Sequence, residues 1–184
     1  MYGIQFSKLS GLTVITTASP KNHESLQALG ADHVFDYGSP SAVEDIRAAA
    51  GGDLRLAWDC HSSEESASFC ARALAEDGSH YSALLGPLDE AVKKVNPSTK
   101  TDMTLYYSVF GEPFCYGKRF EAVPASYEYG KGFWEISKAL LEEGKLKPVN
   151  VTVNRGGKGL EGVLEGLKES RLGKVSCEKL VYTM

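Results

Sequence analysis

Apolar and polar positions along the chain set up strands and helices in turn. Residues 12–17 (LTVITT) form a short β-branched run, the composition of a strand covered on both faces. Ala18, Ser19 and Pro20 end it, and Lys21 and Asn22 make a polar corner. Leu26 and Leu29, three apart, give residues 23–29 one amphipathic turn of helix, closed by Gly30. Val34 and Phe35 mark a second strand over residues 31–37. A strand, a helix and a strand within about thirty residues predict a right-handed parallel crossover. The predicted fold class follows from that unit: α/β, a Rossmann-like doubly wound parallel sheet.

The rest of the pattern extends this picture. Ile4, Phe6 and Leu9 lie toward one side of an opening helix that Gly11 ends. Residues 41–50 predict a helix stopped by Gly51 and Gly52, and residues 54–59 (LRLAWD) a third strand. Ser62 or Ser63 caps the next helix, with Glu64 and Glu65 in its first turn, where the helix dipole favours anions. Residues 79–85 read as a strand broken by Gly86 and Pro87, and residues 104–110 as a fifth strand rich in Tyr and Val. Residues 89–102, polar and containing Pro97, read as a surface loop, and residues 112–124 as an irregular aromatic segment. A long helix is expected over residues 127–143, with Phe133, Trp134, Ile136, Leu140 and Leu141 as its apolar stripe. Residues 149–153 and 179–182 read as strands on either side of a helix at 160–172.

Composition narrows the class of partner. A chain of 184 residues, 42% hydrophobic and 24% charged, fits one soluble globular domain. Its net charge of −4 argues against nucleic acid or an anionic membrane as the main partner. No apolar run approaches the roughly 20 residues needed to span a bilayer. The N-terminus lacks the charged start and apolar stretch of a signal peptide. Cys60, Cys70, Cys115 and Cys177 are scattered, which disfavours a zinc site or a disulfide frame and fits a reducing, cytoplasmic setting.

The polar corner after the first strand carries the first candidate chemistry. In dinucleotide folds an acid near the end of the second strand accepts hydrogen bonds from a free ribose 2′-hydroxyl, whereas a 2′-phosphate calls for a cation and hydroxyls. Here Thr17, Ser19, Lys21 and Asn22 stand at the corner with no acid, and Tyr37 could flank an adenine. That set points to NADP(H); the alternative is an ordinary Ser-Pro turn with a solvated lysine. His61, just past the third strand, could carry acid–base chemistry near neutral pH or serve as a polar helix-entry residue. His23, His33 and His80 fall on different elements, and no metal set is expected.

SKLSGLTVITTASPKN, GADHVFDY, LRLAWD, YSVFGEPF and GKVSCEKLVY together resemble the medium-chain dehydrogenase/reductase superfamily, in particular the zinc-free, trans-acting enoyl reductases of fungal polyketide synthases. The resemblance implies NADPH-dependent reduction of an α,β-double bond in an acyl chain carried by the synthase. By position it implies that Ser19, Lys21, Asn22 and Tyr37 meet the adenosine 2′-phosphate. Leu85 and Gly86 would lie near the cofactor ribose, Val109 and Phe110 near the nicotinamide. Lys174, Val175 and Ser176 would close over the cofactor. The aromatic run Tyr106, Tyr107, Phe110, Phe114 and Tyr116 would line the acyl cleft, and His61, Tyr106 and Tyr116 are the catalytic candidates.

Departures from the family pattern shape the remaining expectations. Relatives begin with a GroES-like domain, a first Rossmann strand and a Gly-rich turn; this sequence has no G-x-G-x-x-G and starts at the helix that follows such a turn. It is therefore expected to form a single truncated Rossmann-like domain over residues 1–184, with 145–184 the segment that would pack on a GroES-like domain. The sheet is expected to close up by pairing residues 12–17 with 54–59, or to take a strand from a partner chain. A homodimer joining exposed sheet edges is one solution. Three functions stay open: an NADPH-dependent enoyl reductase, a redox-inactive cyclase or isomerase that folds a polyene polyketide, and a non-catalytic remnant that docks on a synthase.

Overall fold

A computed structural model describes residues 1–103 and 105–184. The elements run α1 (Tyr2–Leu9), β1 (Ile15–Thr17), α2 (His23–Ala28), β2 (His33–Phe35), α3 (Ala42–Ala49), β3 (Leu56–Asp59), α4 (Glu64–Ala73), β4 (His80–Ala83) and α5 (Asp89–Val95). They continue with β5 (Lys100–Met103), β6 (Phe114–Tyr116), β7 (Lys118–Phe120), α6 (Pro124–Glu142), β8 (Val151–Val153), α7 (Gly159–Arg171) and β9 (Lys179–Val181). The chain divides into two compact units, Met1–Tyr37 with Leu140–Met184, and Gly38–Ala139.

In the first unit β1 and β2 pair in parallel, Ile15 opposite His33 and Thr17 opposite Phe35, so the strand–helix–strand crossover forms as predicted. The strand is shorter than the apolar run because Asp32 takes over the ladder at its start. Its carboxylate accepts the Val14 N–H at 2.7 Å, while the Val14 carbonyl accepts the Asp32 and His33 N–H groups. Ile4, Val14, Leu26 and Ala31 form the core here. Gln5, buried on α1, staples the returning chain: its amide oxygen accepts from Lys147 N at 2.8 Å and its amide nitrogen donates to Lys147 O at 3.1 Å. β8 and β9 pair in parallel on either side of α7. That helix turns Gly162 and Gly166 toward Tyr182 and leaves Leu160, Leu164 and Leu167 exposed.

In the second unit β3, β4 and β5 form a parallel sheet in that order. Ala67, Ala71, Leu74, Tyr81, Ala83 and Val92 make the core, the small alanines letting α4 approach the sheet closely. Residues alternate along the strands. Asp59, Tyr81 and Ala83 turn inward, whereas Leu56 and Trp58 stay 61% and 54% exposed on the opposite face.

Several expectations require correction. Residues 89–102 are not a loop: they hold α5, anchored by fully buried Val92, and β5. β5 reads as polar because Lys100 and Asp102 face outward while Thr101 and Met103 are half-buried. Of the strand expected over 104–110, Thr104 lies outside the described residues, and Tyr106–Phe110 is a 3-10 helix. It ends at Gly111 with φ +75°, where a β-carbon would crowd the Tyr127 ring at 3.1 Å. Residues 112–124 are not irregular throughout, since β6 and β7 form an antiparallel hairpin. The apolar stripe of α6 is not a buried face: Ser137 is buried, whereas Trp134 is 75% and Ile136 58% exposed. Residues 12–17 do not pair with 54–59; among the described residues β1 pairs with β2 alone and β3 with β4 alone.

Candidate cofactor and substrate site

In the first unit the corner after β1 gathers the residues predicted for an adenosine end. Ser19 ends the extended backbone with ψ 145° and Pro20–Asn22 turns in a 3-10 helix. The Ser19 hydroxyl meets the Tyr37 hydroxyl at 3.0 Å, which joins the end of β1 to the residue just past β2, and Lys21 stands exposed beside them. Asn22 donates from its side-chain amide to the Ser176 hydroxyl at 2.9 Å, bringing the C-terminal segment to the same corner. Lys174 is exposed and Val175 half-buried next to Ser176. His23 is occupied locally, its Nε2 3.0 Å from the Ala18 carbonyl. The corner presents hydroxyls and a cation, the character that suits a phosphate.

In the second unit the carboxyl ends of β3 and β4 are tied together by a buried carboxylate that pattern reading passed over. Asp59, 4% exposed, accepts from the His61 and Ser62 N–H groups at 2.9 Å on one oxygen. Its other oxygen accepts the Ser66 hydroxyl at 2.6 Å and the Tyr81 hydroxyl at 2.8 Å. Burial pushes its pKa up, but these four hydrogen bonds outweigh that and hold it below the ordinary carboxylate range. Tyr81 is driven the other way, by burial and then by Asp59. Ser63 and Ser66 close a reciprocal capping box at the start of α4. The signal in the sequence was an aspartate ending an apolar strand just before a serine-rich helix entry.

The predicted site residues of this unit fall into separate groups. His61 is exposed and engages Asp59 through its backbone; no hydrogen bond or ring contact among the described residues joins it to Tyr106 or Tyr116. Tyr106 and Tyr116 are brought together through Tyr107, whose ring centroid lies 4.1 Å from Tyr106, 6.4 Å from Tyr116 and 5.4 Å from Phe114. Phe114 stacks on Phe120 at 5.0 Å. The Tyr107 hydroxyl raises the pKa of Tyr106 by hydrogen bonding. Val109 packs against Gly130 of α6, where a β-carbon would stand 2.8 Å from its own, and Phe110 is exposed. Leu85 and Gly86 are exposed just past β4.

A second polar set lies on the open face of the sheet, where Asp102 bonds both His80 Nε2 and the Ser82 hydroxyl. Ser82 bonds the carboxylate rather than the imidazole, so the base-to-nucleophile hydrogen bond of a catalytic triad is not made. A cavity of about 190 Å³ opens at the carboxyl ends of β4 and β5, lined by Tyr81, Ala83, Leu88, Asp89, Thr101, Asp102 and Met103. Among the described residues no group of three or more His, Cys, Asp or Glu side chains could hold a metal ion. No described helix is long and apolar enough to cross a membrane.

The chain is similar to known proteins over most of its length. The family described as zinc-binding dehydrogenase matches residues 1–125. A trans-enoyl reductase of Macrophomina phaseolina is 37% identical over 186 residues, covering 97% of this chain and 50% of the relative. The enoyl reductase component of the lovastatin nonaketide synthase of Aspergillus terreus is 36% identical over 190 residues, covering 98% and 49%. The chain thus spans about half the length of these relatives. Among solved structures, the CurF ER cyclopropanase of the curacin A biosynthetic pathway superposes with a TM-score of 0.70 at 22% identity, covering 98% of this chain and 50% of that one. At that identity the likeness speaks for the Rossmann-like fold alone.

Proposed function

Because this chain belongs to the zinc-binding dehydrogenase family, within the medium-chain dehydrogenase/reductase superfamily, we propose that it is an enoyl-reductase-like component of polyketide biosynthesis that holds NADP(H) by its adenosine end. The zinc in the family's name does not fit the described side chains, and no step is assigned to it. One observation carries the proposal: the Ser19–Tyr37 hydroxyl pair at 3.0 Å, with exposed Lys21 and the Asn22–Ser176 pair at the same corner.

Each group there has a task. Within the Ser19–Tyr37 pair one hydroxyl donates to the other, which leaves the second free to donate to a phosphate oxygen, and the Lys21 ammonium offsets the phosphate charge. Asn22 and Ser176 fix the C-terminal segment at the corner. A bound NADPH would supply the hydride for an α,β-unsaturated acyl chain. In the second unit the rings of Tyr106, Tyr107, Phe114 and Tyr116 offer an apolar surface of the kind such a chain needs. A polyketide synthase carrying that chain is the corresponding partner, by analogy with the lovastatin component.

The test is a calorimetric comparison of 2′,5′-ADP with 5′-AMP. The unchanged chain should bind 2′,5′-ADP at least tenfold more tightly, and Lys21→Glu should abolish the difference. Equal affinity for the two nucleotides, or a preference that survives Lys21→Glu, would overturn the assignment.

A further inference from the structure

An amphipathic helix buries its apolar stripe and leaves its polar side to water. In the first unit α7 does the reverse. The residues it turns toward the rest of the unit are Gly162 and Gly166, both buried. A β-carbon at Gly162 would stand 2.2 Å from the Gly157 carbonyl oxygen, and one at Gly166 2.0 Å from the Tyr182 hydroxyl oxygen. No larger residue fits on that side. Leu160, Leu164 and Leu167, spaced four and three apart, share the opposite side and are 69%, 61% and 61% exposed. Single exposed leucines are ordinary, but a row of them on a helix backed by glycine is the pattern of a covered surface.

The charges beside the row say what covers it. The first turn of α7 carries Glu161 and the last turn carries Lys168 and Arg171. Glu161 and Lys168 lie seven residues apart, about two turns, and so flank the leucines on the same side. Both are exposed. Lys168 meets Glu165 at 3.0 Å, an exposed pair of the weak kind that yields to a better-placed partner. Glu169 is turned away, toward Arg155 at 3.5 Å. A second α7 laid parallel would set acid on acid and base on base, whereas an antiparallel one sets each acidic end on a basic end. We propose that the leucine face of α7 is a self-association surface, occupied by the α7 of a second copy of this chain running antiparallel. Crossing at Leu164 puts Leu160 of each copy over Leu167 of the other, and Glu161 of each beside Lys168 of the other. The contact is its own complement, as a two-fold interface requires. Three leucines a side fall short of the about 1,200 Å² of a stable interface, so the pairing is reversible and set by concentration.

This surface is independent of the cofactor reading above. Sedimentation of the full chain from about 5 μM to about 0.5 mM, the range of weak interfaces, should show the mass rising from one chain toward two. Leu164→Glu should raise the dimer Kd at least tenfold, while circular dichroism of dilute samples stays that of the parent. Glu161→Lys and Lys168→Glu each set like charges together at both contacts, and each alone should raise the Kd at least threefold. An equal mixture of those two variants restores opposite charges and should associate at least as tightly as the parent. The mixture leaves every leucine in place, so it decides the matter even where Leu164→Glu disturbs the fold. A single-chain mass at every concentration overturns the proposal, as does association that Leu164→Glu leaves unchanged. A mixture that associates no better than either variant alone overturns the antiparallel pairing.

Discussion

Replacing Asp59 tests whether one buried carboxylate organises the strand ends of the second unit. Asp59→Ala removes the acceptor for the His61 and Ser62 N–H groups and for the Tyr81 hydroxyl; the Ser66 hydroxyl can turn to the Ser63 carbonyl at 3.1 Å. Three stranded donors at about 1–3 kcal/mol each put the loss at about 3 kcal/mol or more. With a urea dependence of about 1–3 kcal/mol per molar, the unfolding midpoint should drop by roughly 1–3 M. Trp58, adjacent to Asp59 on β3, is the reporter. Exposed Trp134 is first replaced by Phe so that its signal does not interfere. Asp59→Asn keeps an oxygen for the two backbone N–H groups but puts an amide donor where the Ser66 and Tyr81 hydroxyls had their acceptor, so its loss should be about half as large.

The pH dependence carries the sign. The folded-state pKa of Asp59 lies below that of the unfolded chain, so its stabilisation is present above the ordinary aspartate value of about 3.9 and disappears as pH falls through the lower folded value. The gap between the parent and Asp59→Asn should therefore be the same at pH 7 and pH 5 and close only below about pH 4. A gap that shrinks between pH 7 and pH 5 would mean that burial, not hydrogen bonding, dominates this carboxylate. An Asp59→Ala midpoint within about 0.3 M of the parent would refute the hub.

Other positions give sharper, single-contact expectations. Gln5→Ala removes both hydrogen bonds to the Lys147 backbone and should lower the stability of the first unit by about 1–3 kcal/mol, read by urea unfolding. Gly166→Ala would raise helix propensity in isolation, yet its β-carbon would stand 2.0 Å from the Tyr182 hydroxyl oxygen. It should therefore destabilise by about 1–3 kcal/mol, and Tyr182→Phe in the same chain should recover part of that loss. Arg155→Met takes away the guanidinium 2.6 Å from Glu178 and should move the Glu178 pKa upward by NMR titration. The Thr152 hydroxyl, the larger influence, should keep it below the ordinary glutamate value.

How much was legible in the sequence depended on how local the deciding contacts are. The crossover from β1 to β2 was readable because Leu26, Gly30 and Val34 lie within a few residues of the turns they govern. The cap of α4 was narrowed to Ser62 or Ser63 for the same reason; Ser63 takes it, and Ser66 three residues on closes the box. α5 was not: a seven-residue helix with Val92 as its one fully buried residue shows no period. β5 was missed because a strand with one open face writes KTDM, which carries a loop's composition. Tyr106–Phe110 read as a strand because aromatic and β-branched residues favour strands. Gly111 and the packing of Val109 on Gly130, twenty-one residues away, decide otherwise.

The same distinction explains why sequence reasoning settled on His61 and passed over its neighbour. A histidine at a strand end advertises acid–base chemistry by residue type, but the imidazole here is exposed and its role comes through its backbone N–H. An aspartate at the same place reads as a polar strand terminus. Three of its four partners, at 61, 62 and 66, are near enough to have been guessed; the fourth, Tyr81, is supplied by the parallel pairing of β3 with β4. That pairing sets Trp58 opposite Ser82 and Asp59 opposite Ala83, which brings the Tyr81 hydroxyl under the carboxylate and residues 84 and 85 over the Ser62 hydroxyl. A slip of one residue would turn Asp59 to the exposed face and break both links at once. The register of two short strands, rather than any single motif, thus determines whether this edge is shaped to hold a ligand.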